Sequence, residues 1–149
     1  RDLVTLPAGL AVNRLSANNA TWPDALDPVT GYRFGGYRLD KSRVPTLLYT
    51  VGPLAVEDRI EPSPQRGLRR TLKITTRSDQ PAAWIRAHIG KSLQSREAGG
   101  YTDENGLTVS VSKTPGRRSG KLVRLGGLVE WRIPILVTSP ITLEIDYRW

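Results

Sequence analysis

The single histidine of the chain, His88, lies in the run Trp84-Ile85-Arg86-Ala87-His88. One imidazole can act as a general base only with a nucleophile and an orienting acid beside it, and no Gly-x-Ser-x-Gly elbow accompanies this one. With one histidine and no cysteine, multi-histidine and thiolate metal sites, disulfides, a cysteine nucleophile and a CxxCH haem attachment are excluded within the segment. The acids offer two close pairs. Glu57 and Asp58 are adjacent, so a strand turns them to opposite faces; Glu144 and Asp146 share a face, alternating with Thr142 and Arg148 against the apolar side. Glycoside hydrolysis needs two carboxyl groups roughly 5–10 Å apart across a cleft, and neither spacing sets up opposing walls. Asp103-Glu104-Asn105-Gly106 gathers hard oxygen ligands, but the spacing of a calcium loop does not continue beyond it, and it reads as an Asn-Gly turn. GxxxxGK[ST] and GxGxxG are both missing, so no phosphate-cradling loop is expected.

Binding chemistry is better represented than catalysis. Four tryptophans and five tyrosines supply flat rings for sugar faces, with arginines and acids to bond hydroxyls. Trp84, Arg86 and His88, alternating with Ile85, Ala87 and Ile89, form one candidate ligand patch. Tyr32 and Tyr37, with Arg33 and Arg38, form a second. A third concentration, Lys113, Arg117, Arg118, Lys121 and Arg124, surrounds a Pro-Gly loop and is a candidate anion site. The net charge of +8 and isoelectric point near 10.3 favour anionic partners. Nucleic acid is not expected, because no RNP-like strand, helix-turn-helix or KH element accompanies the charge.

The elements that must position these residues read as strands. Two-residue alternation recurs along the chain, whereas helix-period spacing does not. In ITLEIDYRW, Ile141, Leu143, Ile145, Tyr147 and Trp149 point inward. VEWRIPILV does the same with Val129, Trp131, Ile133, Ile135 and Val137, and its Pro134 implies a bulge or an edge. Ser139-Pro140 would join the two as a hairpin. LRRTLKITT places Leu68, Leu72 and Ile74 on one face with Arg70 as an exception, and AAWIRAHIG turns Ala83, Ile85, Ala87 and Ile89 inward. Thr46–Val51 and Leu54–Ile60 meet at Gly52-Pro53. Shorter candidates are Leu3–Leu6, Leu10–Leu15, Tyr32–Leu39, Leu107–Val111 and Lys121–Leu125. The glycines of Phe34-Gly35-Gly36-Tyr37 suggest a bulge, while Ser16–Thr30 and Glu61–Gly67 read as surface loops. The expected fold is all-β, a mostly antiparallel two-sheet sandwich of about ten strands, jelly-roll-like or supersandwich-like. It would form one domain over residues 1–149; with no Met anywhere, we expect it to be excised from a longer chain. No apolar run approaches the roughly 20 residues of a membrane span.

Four blocks, Gly31–Pro62, Gly67–Thr75, Ala83–Leu93 and Val129–Trp149, carry a distinctive pattern: aromatic-Arg-aromatic-x-Gly-Tyr-x-Leu-Asp, then Pro-Thr-x-x-Tyr, then Val-Glu-Asp. The pattern resembles a β-sandwich region of large secreted bacterial proteins known as membrane-bound or sorbosone-type dehydrogenases, which combine a propeller with a c-type cytochrome domain. That resemblance implies an extracytoplasmic setting, neighbouring domains of the same chain as partners, and haem c in one of them. It implies no cofactor in this segment and carries over no catalytic residue. The leading functional expectation is a non-catalytic accessory module of a secreted, haem-associated oxidoreductase-like protein. A carbohydrate-binding module using exposed aromatics is the alternative, and a carboxylate-dependent glycan-active enzyme the third.

Overall fold

A computed structural model describes residues 5–78, 82–112 and 120–149. Alternating apolar residues pair into twelve strands among them: β1 (Val12–Asn13), β2 (Tyr32–Leu39), β3 (Pro45–Val51), β4 (Leu54–Pro62), β5 (Leu68–Thr76), β6 (Ala82–Gly90), β7 (Leu93–Ser95), β8 (Tyr101–Asp103), β9 (Thr108–Ser112), β10 (Lys121–Leu125), β11 (Leu128–Leu136) and β12 (Ile141–Arg148). They form two antiparallel sheets. One has four strands in the order β1-β6-β11-β10; the other has eight, β2-β3-β4-β5-β12-β9-β8-β7. The expected all-β sandwich is therefore what the chain forms. Among the described residues no helix is long and apolar enough to cross a membrane.

The two sheets face each other through the residues that alternate inward. Ile85, Ala87, Trp131, Ile133 and Ile135 come from the smaller sheet; Val56, Leu72, Ile74, Leu143 and Ile145 come from the larger. Two-residue turns set the local register where their chemistry demands it. Gly52, at φ 57°, leads Pro53 between β3 and β4, so Val51 pairs with Leu54. Gly126 and Gly127, at φ 56° and 81°, close β10 on β11, a turn that requires positive φ at both positions.

Several expectations change in the structure. β11 and β12 are not a hairpin: β11 lies between β6 and β10, β12 between β5 and β9. The Ser139-Pro140 step instead arches from one sheet to the other, which sets the apolar faces of the two strands against each other across the core. Trp149 ends beyond β12 and is exposed, while Asp146, expected in solvent, is buried against Arg69. The Leu10–Leu15 candidate contracts to β1. Of Leu3–Leu6, only Thr5 and Leu6 fall within the described residues, and neither is in a strand. β7 and β8 form a short pair that the alternation did not reveal.

Two bulges re-aim side chains. In β2 the register slips between Phe34 and Gly36, leaving Gly35 as the extra residue, in keeping with the glycine signal. In β6 the partner register runs Trp131 to His88 and then Arg132 to Arg86, so Ala87 is the extra residue. A bulge breaks the two-residue alternation. Ala87 and His88 consequently both point into the core, and Ile89 turns to the outer face opposite Glu130. Pro134 lies downstream, where β10 no longer pairs and the missing donor costs no ladder bond.

Candidate functional site

The first predicted patch does not assemble. His88 faces the core at 1 % exposure, on the opposite side of β6 from Trp84 and Arg86. Its Nε2 donates to the Leu107 carbonyl oxygen at 3.1 Å in the neutral tautomer, and Asp103 Oδ2 lies 3.7 Å away. Burial lowers its pKa, because the imidazolium would lose hydration that these acceptors only partly replace. Trp84 is half-buried. Arg86 is held by Glu130 at 3.2 Å.

Arg86 belongs to a buried charge cluster on the outer face of the smaller sheet. Arg132, at 0 % exposure, donates from Nε to Glu130 at 2.8 Å and from Nη1 to the carbonyls of Asn18 and Ala20 at 2.9 and 2.6 Å. Trp22 covers both guanidinium groups, 5.1 Å from that of Arg86 and 5.6 Å from that of Arg132. Its indole nitrogen donates to the Leu10 carbonyl at 2.8 Å. Ser16–Thr30, expected as a surface loop, is thus a strap sealing this face. Cation–π attraction and backbone acceptors compensate the desolvated charge.

A second network sits on the inner face of the larger sheet. Asp58, at 2 % exposure, accepts from Tyr49 Oη at 3.0 Å and Arg70 Nε at 2.8 Å. Arg70, the exception in its apolar row, is there to neutralise Asp58. Burial and then the Asp58 carboxylate push the Tyr49 phenol well above its ordinary pKa, so it remains a donor. As expected, Glu57 turns to the other face. Glu144 and Asp146 share a face as expected too, but Arg69 spans them, 2.8 Å from Asp146 and 3.7 Å from Glu144. Asp103 Oδ1 accepts from the amides of Asn105 and Leu107, closing the expected Asn-Gly turn. Among the described residues no three His, Asp or Glu side chains converge as a metal site.

The second predicted patch divides across the sheet. The Gly35 bulge puts Tyr32 and Tyr37 on the inner face, paired with Val51 and Leu47, and Arg33 and Arg38 on the outer face, paired with Thr50 and Thr46. Tyr32 packs on Tyr49 with ring centroids 5.7 Å apart, whereas Tyr37 is 63 % exposed. Of the basic loop, Lys113, Arg117 and Arg118 lie outside the described residues. Lys121 and Arg124 are exposed on β10, three positions apart and therefore on opposite faces.

What the register does assemble is a groove of about 420 Å³ on the outer face of β2–β5. Arg33, Thr50, Ala55 and Thr75 stand side by side across the four strands. The next row holds Leu48, Glu57 and Lys73. Gly35 and Ala55 bring little side-chain volume to this face, which leaves the depression. A Cβ on Gly35 would stand 3.2 Å from the Leu48 carbonyl oxygen. Arg77 also lines the groove, whereas Phe34, at its margin, pairs with Tyr49 and turns its ring to the inner face. Among the described residues Glu57 is the only acid in its lining; it accepts from Arg38 at 2.6 Å and lies 3.6 Å from Lys73 Nζ. Arg38 first, with Lys73 adding to it, holds Glu57 below the usual carboxylate range. Among the described residues Arg33 and Arg77 have no acidic partner. Sequence reasoning missed Thr50, Ala55, Lys73, Thr75 and Arg77; the Gly52-Pro53 turn, which aligns Thr50 with Ala55, was the available signal.

Fold and groove together define an all-β sandwich with one sealed outer face and one open, cationic face. No family model, curated protein or solved structure matches the chain.

Proposed function

We propose that this chain is a non-catalytic interaction module that holds a ligand or partner on the outer face of β2–β5. The observation that carries the reading is the contrast in how its charges are used. His88, Asp58 and Glu130 are buried and bonded, while among the described residues the open groove carries two arginines without an acidic partner and a single carboxylate already claimed by Arg38. General acid–base chemistry asks for a titratable group poised near the working pH within reach of substrate, and Glu57 is held away from that range. The resemblance of the sequence blocks supports a setting beside a haem-carrying redox domain of an extracytoplasmic oxidoreductase-like protein.

The test is an amide chemical-shift titration of the purified chain with neutral and acidic oligosaccharides and with c-type cytochromes. Shifts gathered on Arg33, Thr50, Ala55 and Thr75, and abolished by Ala55→Trp, support the module. Shifts confined to other faces, or turnover of any oligosaccharide, overturn it. The coding sequence on either side tests the setting separately: a CxxCH motif there supports it, and a complete gene without one removes it.

A further inference from the structure

The groove's chemistry narrows the ligand class. Two forked guanidinium groups approach from its two sides, Arg33 on β2 and Arg77 just past the end of β5, with the Lys73 ammonium on the opposite side of the Arg33 row from Arg77, beside Glu57. Strands about 4.8 Å apart put β2 and β5 roughly 14 Å from each other, so these charges suit an extended polyanion better than one small ion. The backbone amides of the floor are engaged in the sheet ladder, leaving side chains as the donors. Arginine forks match planar carboxylates in two-bond geometry. Between them the groove offers the Thr50 and Thr75 hydroxyls, able to donate and accept, beside the apolar Leu48 and Ala55. A sugar ring has that mixed character, with hydroxyls at its edge and C–H bonds on its face. Among the described residues the aromatics nearest the groove, Phe34 and Tyr49, pair with each other on the inner face, so successive nucleobases find no stacking platform here.

We infer that the outer face of β2–β5 binds a carboxylate-bearing oligosaccharide, with Arg33 and Arg77 bonding uronate carboxylates and the apolar Leu48 and Ala55 lying against a sugar face. This rests on the interaction-module reading above and adds the ligand's charge and class.

The experiment is calorimetric titration of the purified chain with an oligogalacturonate, against a neutral gluco-oligosaccharide of equal length and oligo-dT. Variants R33A, R77A, R33K and T142A are compared after thermal melts show each folded; Thr142 is an exposed residue outside the groove. We expect binding of oligogalacturonate only, weakened about ten- to a hundred-fold by R33A or R77A, as loss of a charge-assisted hydrogen bond predicts. R33K, which keeps charge but not the fork, should lose less, and T142A should match the parent. Raising salt should weaken binding, since the groove faces solvent. Oligogalacturonate binding that ignores R33A and R77A overturns the inference, as does absence of binding. Equal binding of the neutral sugar overturns the charge assignment while the module reading stands. Oligo-dT binding as tightly through the same arginines overturns the glycan assignment. Cleavage of the oligogalacturonate would instead sink the module reading.

Discussion

The outer faces of the two sheets use the same residue type to opposite ends. On the smaller sheet, Arg86 and Arg132 grip Glu130 beneath Trp22 and the Asn18 and Ala20 carbonyls. On the larger one, Arg33 and Arg77 stand beside an open groove, and no acid among the described residues holds them. A buried arginine bonded to an acid and to backbone carbonyls anchors the strap to the sheet; a solvated arginine contributes almost nothing to stability and remains available for a ligand. Burial and partner supply, more than residue identity, separate scaffold from candidate site.

That comparison can be broken most forcefully at Glu130. Glu130→Ala leaves two buried guanidinium groups without their carboxylate and should cost about 3–5 kcal/mol, measured as a fall in the urea midpoint. An unchanged midpoint would mean that the cluster is wet and the strap loose. Trp22→Ala removes the cover but keeps the ion pairs, and roughly 3 kcal/mol, the low end for truncating a buried tryptophan, is expected from the same measurement. A smaller effect comes from His88. Because burial lowers its folded pKa, the unfolded chain takes up a proton below about pH 6.5 while the folded one does not. Stability should therefore fall as pH drops from about 6.5 to the folded pKa, by up to about 1.4 kcal/mol per pH unit in that window, with no contribution above it. His88→Gln should flatten this slope; a slope that persists would assign it to other groups. Smallest of all, Arg33→Ala and Arg77→Ala should each change stability by no more than about 0.5 kcal/mol, and a larger loss by calorimetry would make the open face structural.

Much of the sandwich was legible because burial on one side writes itself into alternate residues. Ile141, Leu143, Ile145 and Tyr147 on β12 are the clearest instance. The arch between β11 and β12 was not legible, since alternation is the same whether two strands lie side by side or face to face. The β6 bulge left no mark either: Ala87 is an ordinary strand residue, and the extra position exists only relative to β11. His88 was therefore assigned to the wrong face. The groove depends on registers across three strand pairs. Gly52-Pro53 fixes one of them, but the Ser63–Gly67 connection between β4 and β5 carries no such signature, which kept Lys73, Thr75 and Arg77 apart in the sequence. No role for Glu130 and Arg132 was legible in the sequence, because nothing near them names the distant Trp22.

The strap also constrains when the molecule can be completed. Arg132 clasps carbonyls 114 and 112 positions earlier, so during N-to-C synthesis the strap of residues 16–30 leaves the ribosome long before its anchor exists. Whatever chaperone or translocon handles the nascent chain meets Trp22 uncovered, and the clasp can shut only after β11 has emerged.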